Sequence, residues 1–394
     1  MKTYDVIVIG SGGGSKITRP AANLGYKVAI IEKDQLGGTC LNRGCIPSKM
    51  LIHPADIIRE IQDAKRFHIE LDESFKFDSE RLVSEVTAEV SAESESIEPL
   101  YEAHENITFY HDTAVFEQDY IIRVGDELIT APKIFIAAGA RPTIPNYSGL
   151  TTTPYWTSTE ALKATQLPES LIIFGGGYIA CELGHYFSSM GVKVTFIVRS
   201  ELLRQQDDDI KREYKCVAEK HCEIIEQATV TEVSYDQQQF TVSYQQDNQN
   251  YALSAEQVLV AAGITANSDT LGLDKTRIDI DQNGFIKVND YLETSLKGVY
   301  SFGDIIGRYF FRHTANFEGQ YLFDSQFKSD QPSPIKYKPV PYAMFTHPQI
   351  AGVGLTENDA KSAAVDVVIG KNAYISSAMG TALRSDHGFV KLLF

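Results

Sequence analysis

Positive charge is what this sequence most lacks: 36 Lys and Arg stand against 52 Asp and Glu, a net charge of −16. Neutralising a nucleic-acid backbone takes clustered cations, so nucleic acid is excluded as a partner, and an anionic membrane surface is disfavoured for the same reason. Long apolar runs are missing too. None approaches the roughly 20 residues of a bilayer span, and Met1-Lys2-Thr3-Tyr4 leads straight into the strand-like Asp5-Val6-Ile7-Val8-Ile9 with no leader pattern. No membrane association is expected, and the expected compartment is the cytoplasm. Cysteine is sparse. Five in 394 residues cannot form a disulfide framework, and in a reducing compartment a close pair points to catalysis. Cys181, Cys216 and Cys222 stand at no ligand spacing, and no metal site is expected.

The composition that remains, 43% hydrophobic and 22% charged, is that of a globular protein. The length exceeds one ordinary core and implies two or three domains. Within it, Gly37-Gly38-Thr39-Cys40-Leu41-Asn42-Arg43-Gly44-Cys45-Ile46-Pro47-Ser48-Lys49 holds two cysteines five apart. Five helical residues climb roughly 7.5 Å, beyond the Cα separation of about 4.4 to 6.8 Å that a disulfide tolerates. The pair can bridge only where the backbone leaves regular helix, and Gly44 supplies that freedom. Pro47 suits a first helical turn. Cys45 therefore falls near a helix N-terminus, where the dipole and the Lys49 ammonium would favour a thiolate.

Two strand, glycine-turn, helix, strand units flank this stretch. The first runs through Gly10, Gly12, Gly13 and Gly14 to a strand ending at Glu32, an acid 22 residues after Gly10. That is the arrangement for binding a pyrophosphate at a helix N-terminus and a ribose beyond it. Ser15 stands at the third glycine position and is expected to push helix and strand slightly apart, while Pro20 is expected to shorten or kink the helix. The second unit turns through Gly175, Gly176 and Gly177 into Tyr178-Ile179-Ala180, and its second strand ends at Arg199, with Arg204 following. A cation there, where an acid would hold the ribose 2′-hydroxyl of NAD, favours the 2′-phosphate of NADP. Helical periodicity covers 55–66 and 79–103, with Glu85, Glu89, Glu93 and Glu95 as a solvated face. The polar turn 245–250 separates two strand-like runs and implies a hairpin.

The cysteine stretch in its GGTCLNxGCIPSK setting, together with both glycine turns, resembles the class I pyridine nucleotide-disulfide oxidoreductases, which include glutathione, mycothione and mercuric reductases and dihydrolipoamide dehydrogenase. The resemblance covers essentially the whole chain. It implies an α/β fold of two Rossmann-like domains, one for FAD and one for NAD(P), plus the start of an α+β dimerisation domain. The implied division is 1–147 and 268–338 for FAD, 148–267 for NAD(P), and 339–394 for dimerisation, with the native chain expected to continue past Phe394. The family's acid/base histidine has no counterpart in these residues. His347 matches the opening strand of the last domain and is expected to be structural.

By the same resemblance, Cys40 would attack the substrate disulfide, Cys45 would stack on the flavin, and Glu182 would pair with Lys49 beside it. FAD would be held by Gly10, Gly12, Gly14, Ser15, Glu32 and Lys33, by Gly38, Thr39 and Lys49, and by Ala138, Gly139, Gly303 and Asp304. The nicotinamide nucleotide would be held by Gly175, Gly177, Tyr178, Ile179, Arg199, Arg204 and Gly263, with Tyr178 covering the nicotinamide pocket until the nucleotide binds. The expected activity is transfer of electrons from NADPH through FAD and a Cys40–Cys45 disulfide to a small-molecule disulfide, in a homodimer. The alternatives are an NAD-dependent dihydrolipoamide dehydrogenase acting on a dithiol, and a non-catalytic flavoprotein that binds both nucleotides.

Overall fold

A computed structural model describes residues 1–71 and 76–394. The chain folds into two compact units, each built from three separate segments.

The first unit comprises residues 1–47, 87–141 and 264–338. Its centre is a five-stranded parallel sheet in the spatial order Val299–Ser301, Lys133–Ile136, Val6–Ile9, Val28–Ile31 and Ile107–Tyr110. The central strands Val-Ile-Val-Ile and Val-Ala-Ile-Ile are buried along their whole length. Unbroken apolar runs are what a parallel sheet covered on both faces requires. Leaving Ile9, the chain turns at Gly10 into the helix Ser11–Asn23. That helix contains Pro20 and still runs three residues past it, so the expected shortening does not occur. Ala21 and Ala22, in the turn after the proline, are almost wholly buried in the core, and that burial offsets the lost hydrogen bond. A second helix, Arg312–Phe327, lies close to the first, and a Cβ at Gly319 would sit 2.9 Å from Lys16 Cβ. A further small sheet pairs Lys2–Thr3, Glu127–Thr130, Ile121–Val124 and Ala114–Gln118.

The second unit comprises the described residues of 48–86, with 142–263 and 339–394. Its four-stranded parallel sheet has the order Cys222–Ile225, Lys193–Ile197, Ser170–Phe174 and Gln257–Val260. The helix Tyr178–Ser189 follows the second glycine turn. The expected hairpin is present as Gln239–Gln246 and Gln249–Ala255, antiparallel, joined at Asp247 and Asn248. Both turn residues have positive φ, 50° and 60°, as the tight hairpin turns that match strand twist demand. Two shorter hairpins, Tyr342–Met344 with Ile350–Gly352 and Ile369–Ala373 with Phe389–Leu393, complete the unit.

Helices Cys45–Asp63, Ser79–Glu95 and Ile97–Glu102 cover most of the periodic stretches. Glu85, Glu89, Glu93 and Glu95 are all exposed. Among the described residues, no helix is long and apolar enough to cross a membrane.

Candidate active site

The cysteine pair straddles a break between two helices. The helix Gly38–Arg43 ends at Gly44, whose φ of −140° and ψ of −120° are not helical, and Cys45 opens the helix Cys45–Asp63. A Cβ at Gly44 would lie 2.8 Å from Thr39 O and 3.2 Å from Cys40 Cα, so only glycine allows this close return of the chain. Cys40 is half-buried and Cys45 exposed, and their thiols hydrogen-bond to each other. That bond, then burial, pushes the Cys40 thiol well above its ordinary value, while the Arg312 guanidinium opposes the rise. Asn42 fixes the first helix, its amide donating to Leu36 O at 2.8 Å and to Gly38 O at 3.1 Å.

One helical turn beyond Cys45, Lys49 Nζ donates to Glu182 Oε2 at 2.8 Å and lies 4.8 Å over the Phe345 ring. Glu182 is 8% exposed, and its other oxygen accepts the Phe345 N–H at 2.9 Å. Both carboxylate oxygens are thus engaged. Burial of this acid is possible because a cation and a backbone donor meet it together. The structure brings Lys49 and Glu182 into contact across 133 residues of sequence.

In the first unit, the turn after Val6–Ile9 is shaped as a cradle. Gly10 has φ +95°, and a Cβ there would meet Ala137 O at 2.3 Å. A Cβ at Gly38 would meet Gly12 Cα at 2.7 Å. Glu32 Oε2 accepts Ser11 N at 2.9 Å and Ser11 Oγ at 2.8 Å, and Ser11 Oγ in turn accepts Gly37 N at 3.0 Å. This network ties the acid to the glycine turn. The close helix-to-strand approach belongs to Gly14, where a Cβ would meet Val8 Cγ1 at 2.6 Å. Ser15 does not push the helix away, because its side chain turns back and donates to Gly12 O at 2.9 Å. Lys33 and Thr39 are exposed. Asn267 binds Ala138 O at 2.7 Å and Gly139 O at 3.1 Å, holding the turn after Lys133–Ile136.

Gly303, at φ +77°, donates its N–H to Glu318 Oε2 at 2.7 Å, and Tyr337 donates to Glu318 Oε1 at 2.6 Å. Beside them Asp304 is pushed up to about 6, by burial and then by Glu318, with Arg312 opposing. Thr314 Oγ1 and Asn316 Oδ1, on the first turns of Arg312–Phe327, are buried without partners among the described residues. A glycine cradle closed to any side chain, a tethered acid for a ribose and unmet buried polar atoms together fit FAD. Ser11, Asn267, Arg312 and Glu318 escape the sequence reading, since each acts through a partner distant in sequence.

The second unit repeats the cradle. Gly175 has φ +125°, and a Cβ there would meet Ala261 O at 2.2 Å; a Cβ at Gly177 would meet nothing within 4 Å. Ala180 is fully buried at the third glycine position. Arg199 and Arg204 are exposed, and Arg199 has neither an ion pair nor a hydrogen bond among the described residues. Glu201 is bonded to Lys211 at 2.9 Å, leaving Arg199 available to an anion. Gly263 has φ +127° and its carbonyl accepts Thr143 N at 2.9 Å. Ile179 is 44% exposed. The Tyr178 hydroxyl accepts a hydrogen bond from Gln206 Nε2 at 2.5 Å, and its ring lies 6.0 Å from that of Tyr342. A turn closed to side chains at Gly175 and open at Gly177, with a guanidinium that has no ion pair among the described residues, fits a nicotinamide nucleotide. His347 stacks on His185 at 6.0 Å and is held below its ordinary value, first by burial and then by His185. Among the described residues, Asp207, Asp209 and Glu357 are close enough to hold a metal ion, but the Lys391 ammonium lies among them.

Residues 4–319 match the model of the family described as pyridine nucleotide-disulphide oxidoreductase, and residues 340–394 match that family's dimerisation domain. The chain is 34% identical over 407 residues to mycothione reductase of Mycobacterium tuberculosis, covering all of this chain and 87% of that one. It is 31% identical over 410 residues to dihydrolipoyl dehydrogenase of Bacillus subtilis, covering 99% and 85%. The HOCl-induced flavoprotein disulfide reductase RclA of Escherichia coli superposes with a TM-score of 0.87 at 26% identity, over 99% of this chain and 86% of that one.

Proposed function

We propose, for a chain that belongs to the pyridine nucleotide-disulphide oxidoreductase family, that it reduces a low-molecular-weight disulfide with electrons from NADPH. Membership makes it a flavin-dependent oxidoreductase whose cofactors are FAD and a nicotinamide nucleotide. When bound, these supply hydride and electron-pair transfer, and the protein supplies orientation and electrostatics.

The chain's own part is thiol chemistry. Two electrons delivered to an oxidised Cys40–Cys45 pair break its S–S bond and leave two sulfurs that hold one proton between them. When the shared proton sits on Cys45, Cys40 attacks as a thiolate one sulfur of the substrate disulfide, breaking its S–S bond, forming a mixed disulfide and expelling the first product as a thiolate that takes this proton. Cys45, now a thiolate, attacks the Cys40 sulfur, expels the second product as a thiolate that takes a proton from water, and restores the intramolecular disulfide. The helix dipole at Cys45 and the Lys49 charge favour its thiolate form. Glu182 keeps the Lys49 ammonium fixed while the charge on the sulfurs changes. The observation that carries this reading is the Cys40–Cys45 thiol pair set across the Gly44 break, one turn from the Lys49–Glu182 ion pair.

The guanidinium of Arg199, exposed and without an ion pair among the described residues, supports NADPH over NADH, and the match of 340–394 to a dimerisation domain supports a homodimer. The likeness to dihydrolipoyl dehydrogenase favours a second reading, an NAD-dependent enzyme oxidising a dithiol. Parallel assays of the holoenzyme with NADPH and NADH, against oxidised glutathione, mycothione and lipoamide, separate the two. Disulfide-dependent oxidation of NADPH is expected. Turnover confined to NADH and lipoamide would replace this reading with the second.

A further inference from the structure

Gln206 is a glutamine where an apolar side chain would be the cheaper choice. It is 7% exposed, its Nε2 donates to the Tyr178 hydroxyl at 2.5 Å, and its Oε1 is buried with no partner among the described residues. Buried carbonyl oxygens rarely go unmet, and one that does calls for an explanation. We propose that Gln206 recognises the carboxamide of the nicotinamide ring, and that the Tyr178 hydroxyl occupies this group while the nucleotide is absent. The proposal rests on the reading of the second glycine cradle as the nicotinamide nucleotide site.

The backbone is held on both sides of Gln206. On one side, Leu203, at φ +53°, donates its N–H to Gly176 O at 2.7 Å, which straps the loop to the glycine turn, and Gln206 N donates to Leu203 O at 2.7 Å. On the other, Asp207 caps the helix Asp208–Ala218 by accepting Asp209 N at 3.0 Å, and Asp207 Oδ1 also receives Lys391 Nζ at 2.7 Å. The backbone that carries Gln206 is therefore fixed by contacts other than Tyr178. A ring that takes the place of the Tyr178 ring inherits the fixed carboxamide. A primary amide on that ring presents one carbonyl oxygen and one NH₂, which match the freed Nε2 and the unmet Oε1 in two parallel N–H···O bonds. The tyrosine hydroxyl meets the donor alone, and the nicotinamide amide meets both.

The test is equilibrium binding of NADP⁺ and of its 3-acetylpyridine analogue to the oxidised, FAD-loaded protein, followed by calorimetry and by the flavin absorbance. The analogue keeps the carbonyl and replaces NH₂ with methyl, so it cannot serve Oε1. NADP⁺ is expected to bind roughly tenfold tighter than the analogue, as sites built around a hydrogen-bonding group reject ligands that lack it. In Gln206→Met that preference should collapse to within about twofold. Tyr178→Phe, which removes the competing hydroxyl, should bind NADP⁺ more tightly and keep the preference. An unchanged preference in Gln206→Met, or weaker NADP⁺ binding in Tyr178→Phe, overturns the proposal. Arg199→Ala in the same assay separates the two levels. If it erases the preference for NADP⁺ over NAD⁺ while Gln206→Met changes nothing, the Gln206 assignment alone is wrong. If neither variant has an effect, the cradle is not the nucleotide site.

Discussion

Single residues in this chain divide into those whose role is local and those whose role lies with a distant partner. Cys40, Gly44 and Cys45 are local: at this spacing a disulfide needs the helix to break between them, and it does. Glu182 is the second kind. Its contact with Lys49 spans 133 residues, and only family likeness, not periodicity, points to it. Replacing it by Ala strands the Lys49 ammonium and the Phe345 N–H together. Lys49 is about one-third exposed, so water recovers part of the loss, and the expected cost is about 1–3 kcal/mol, read from denaturant unfolding. Glu182→Gln should cost less, since it can still accept the Phe345 N–H. Asp304 makes the opposite trade. Its carboxyl is pushed up to about 6 in the folded chain, against about 4 when unfolded. Between those values the folded state binds the extra proton, so this group's contribution to stability falls as pH rises from 4 to 6 and stays unfavourable above. With the flavin stripped off, Asp304→Asn should therefore melt higher than wild type at pH 7 by about 1–3 kcal/mol, with the difference gone by pH 4. The same variant should retain FAD more weakly. A variant that is no more stable at pH 7 than at pH 4 would show that Asp304 carries no such strain.

At the level of elements, the strands were the most legible part, because fully buried parallel strands such as Val6–Ile9 and Val28–Ile31 are written as unbroken β-branched and apolar runs. The helix that follows Gly10 is less legible. Motif spacing puts the tight helix-to-strand contact at Ser15, whereas packing puts it at Gly14, directly over Val8. A spacing rule counts residues along the chain; it cannot see which Cβ points at the sheet. The two positions should therefore respond differently. Gly14→Ala forces a methyl to 2.6 Å from Val8 Cγ1, so the expected loss is about 1–3 kcal/mol together with poorer flavin retention. Ser15→Gly removes only the bond to Gly12 O and should stay within about 1 kcal/mol. Thermal unfolding and the flavin content of the purified variants measure both. Equal sensitivity at the two positions would return the contact to Ser15. Gln206 and Arg312 were illegible for a further reason: nothing near them in sequence marks them, and their meaning comes from Tyr178 in one case and from Cys40 and Asp304 in the other.

For the whole molecule, each unit must be closed by bringing together segments far apart in the chain, and in the second unit one buried charge group shows how. Lys391, on the strand Phe389–Leu393, is 7% exposed at its side chain and reaches Asp207 at 2.7 Å, Asp209 at 2.9 Å and Glu357. Burial alone would pull its ammonium down, but hydrogen bonds to Asp207, Glu357 and Asp209 outweigh it and push it up. Lys371 adds a weaker contact to Asp209 at 3.4 Å. Asp209 also pairs with the exposed Arg212, and Glu357 with the exposed Lys361 at 4.0 Å, but Lys391 is the buried cation that joins all three carboxylates, and Lys391→Met would leave them facing one another. Breaking a buried ionic group by removing one partner costs about 3–5 kcal/mol. That loss should fall on the unit that binds the nicotinamide nucleotide. In thermal unfolding, a transition that rises with added NADP⁺ is expected to drop in the variant, while one that rises with added FAD holds its place, since a ligand protects the unit it binds. Because the three acids can place oxygens within 4.8 Å of one another, millimolar Ca²⁺ should recover part of the loss in the variant and do little for the wild type, where the ammonium already fills the place. If the FAD-sensitive transition fell instead, the strand Phe389–Leu393 would be stabilising the first unit, and Lys391 would not be the tie that closes the second.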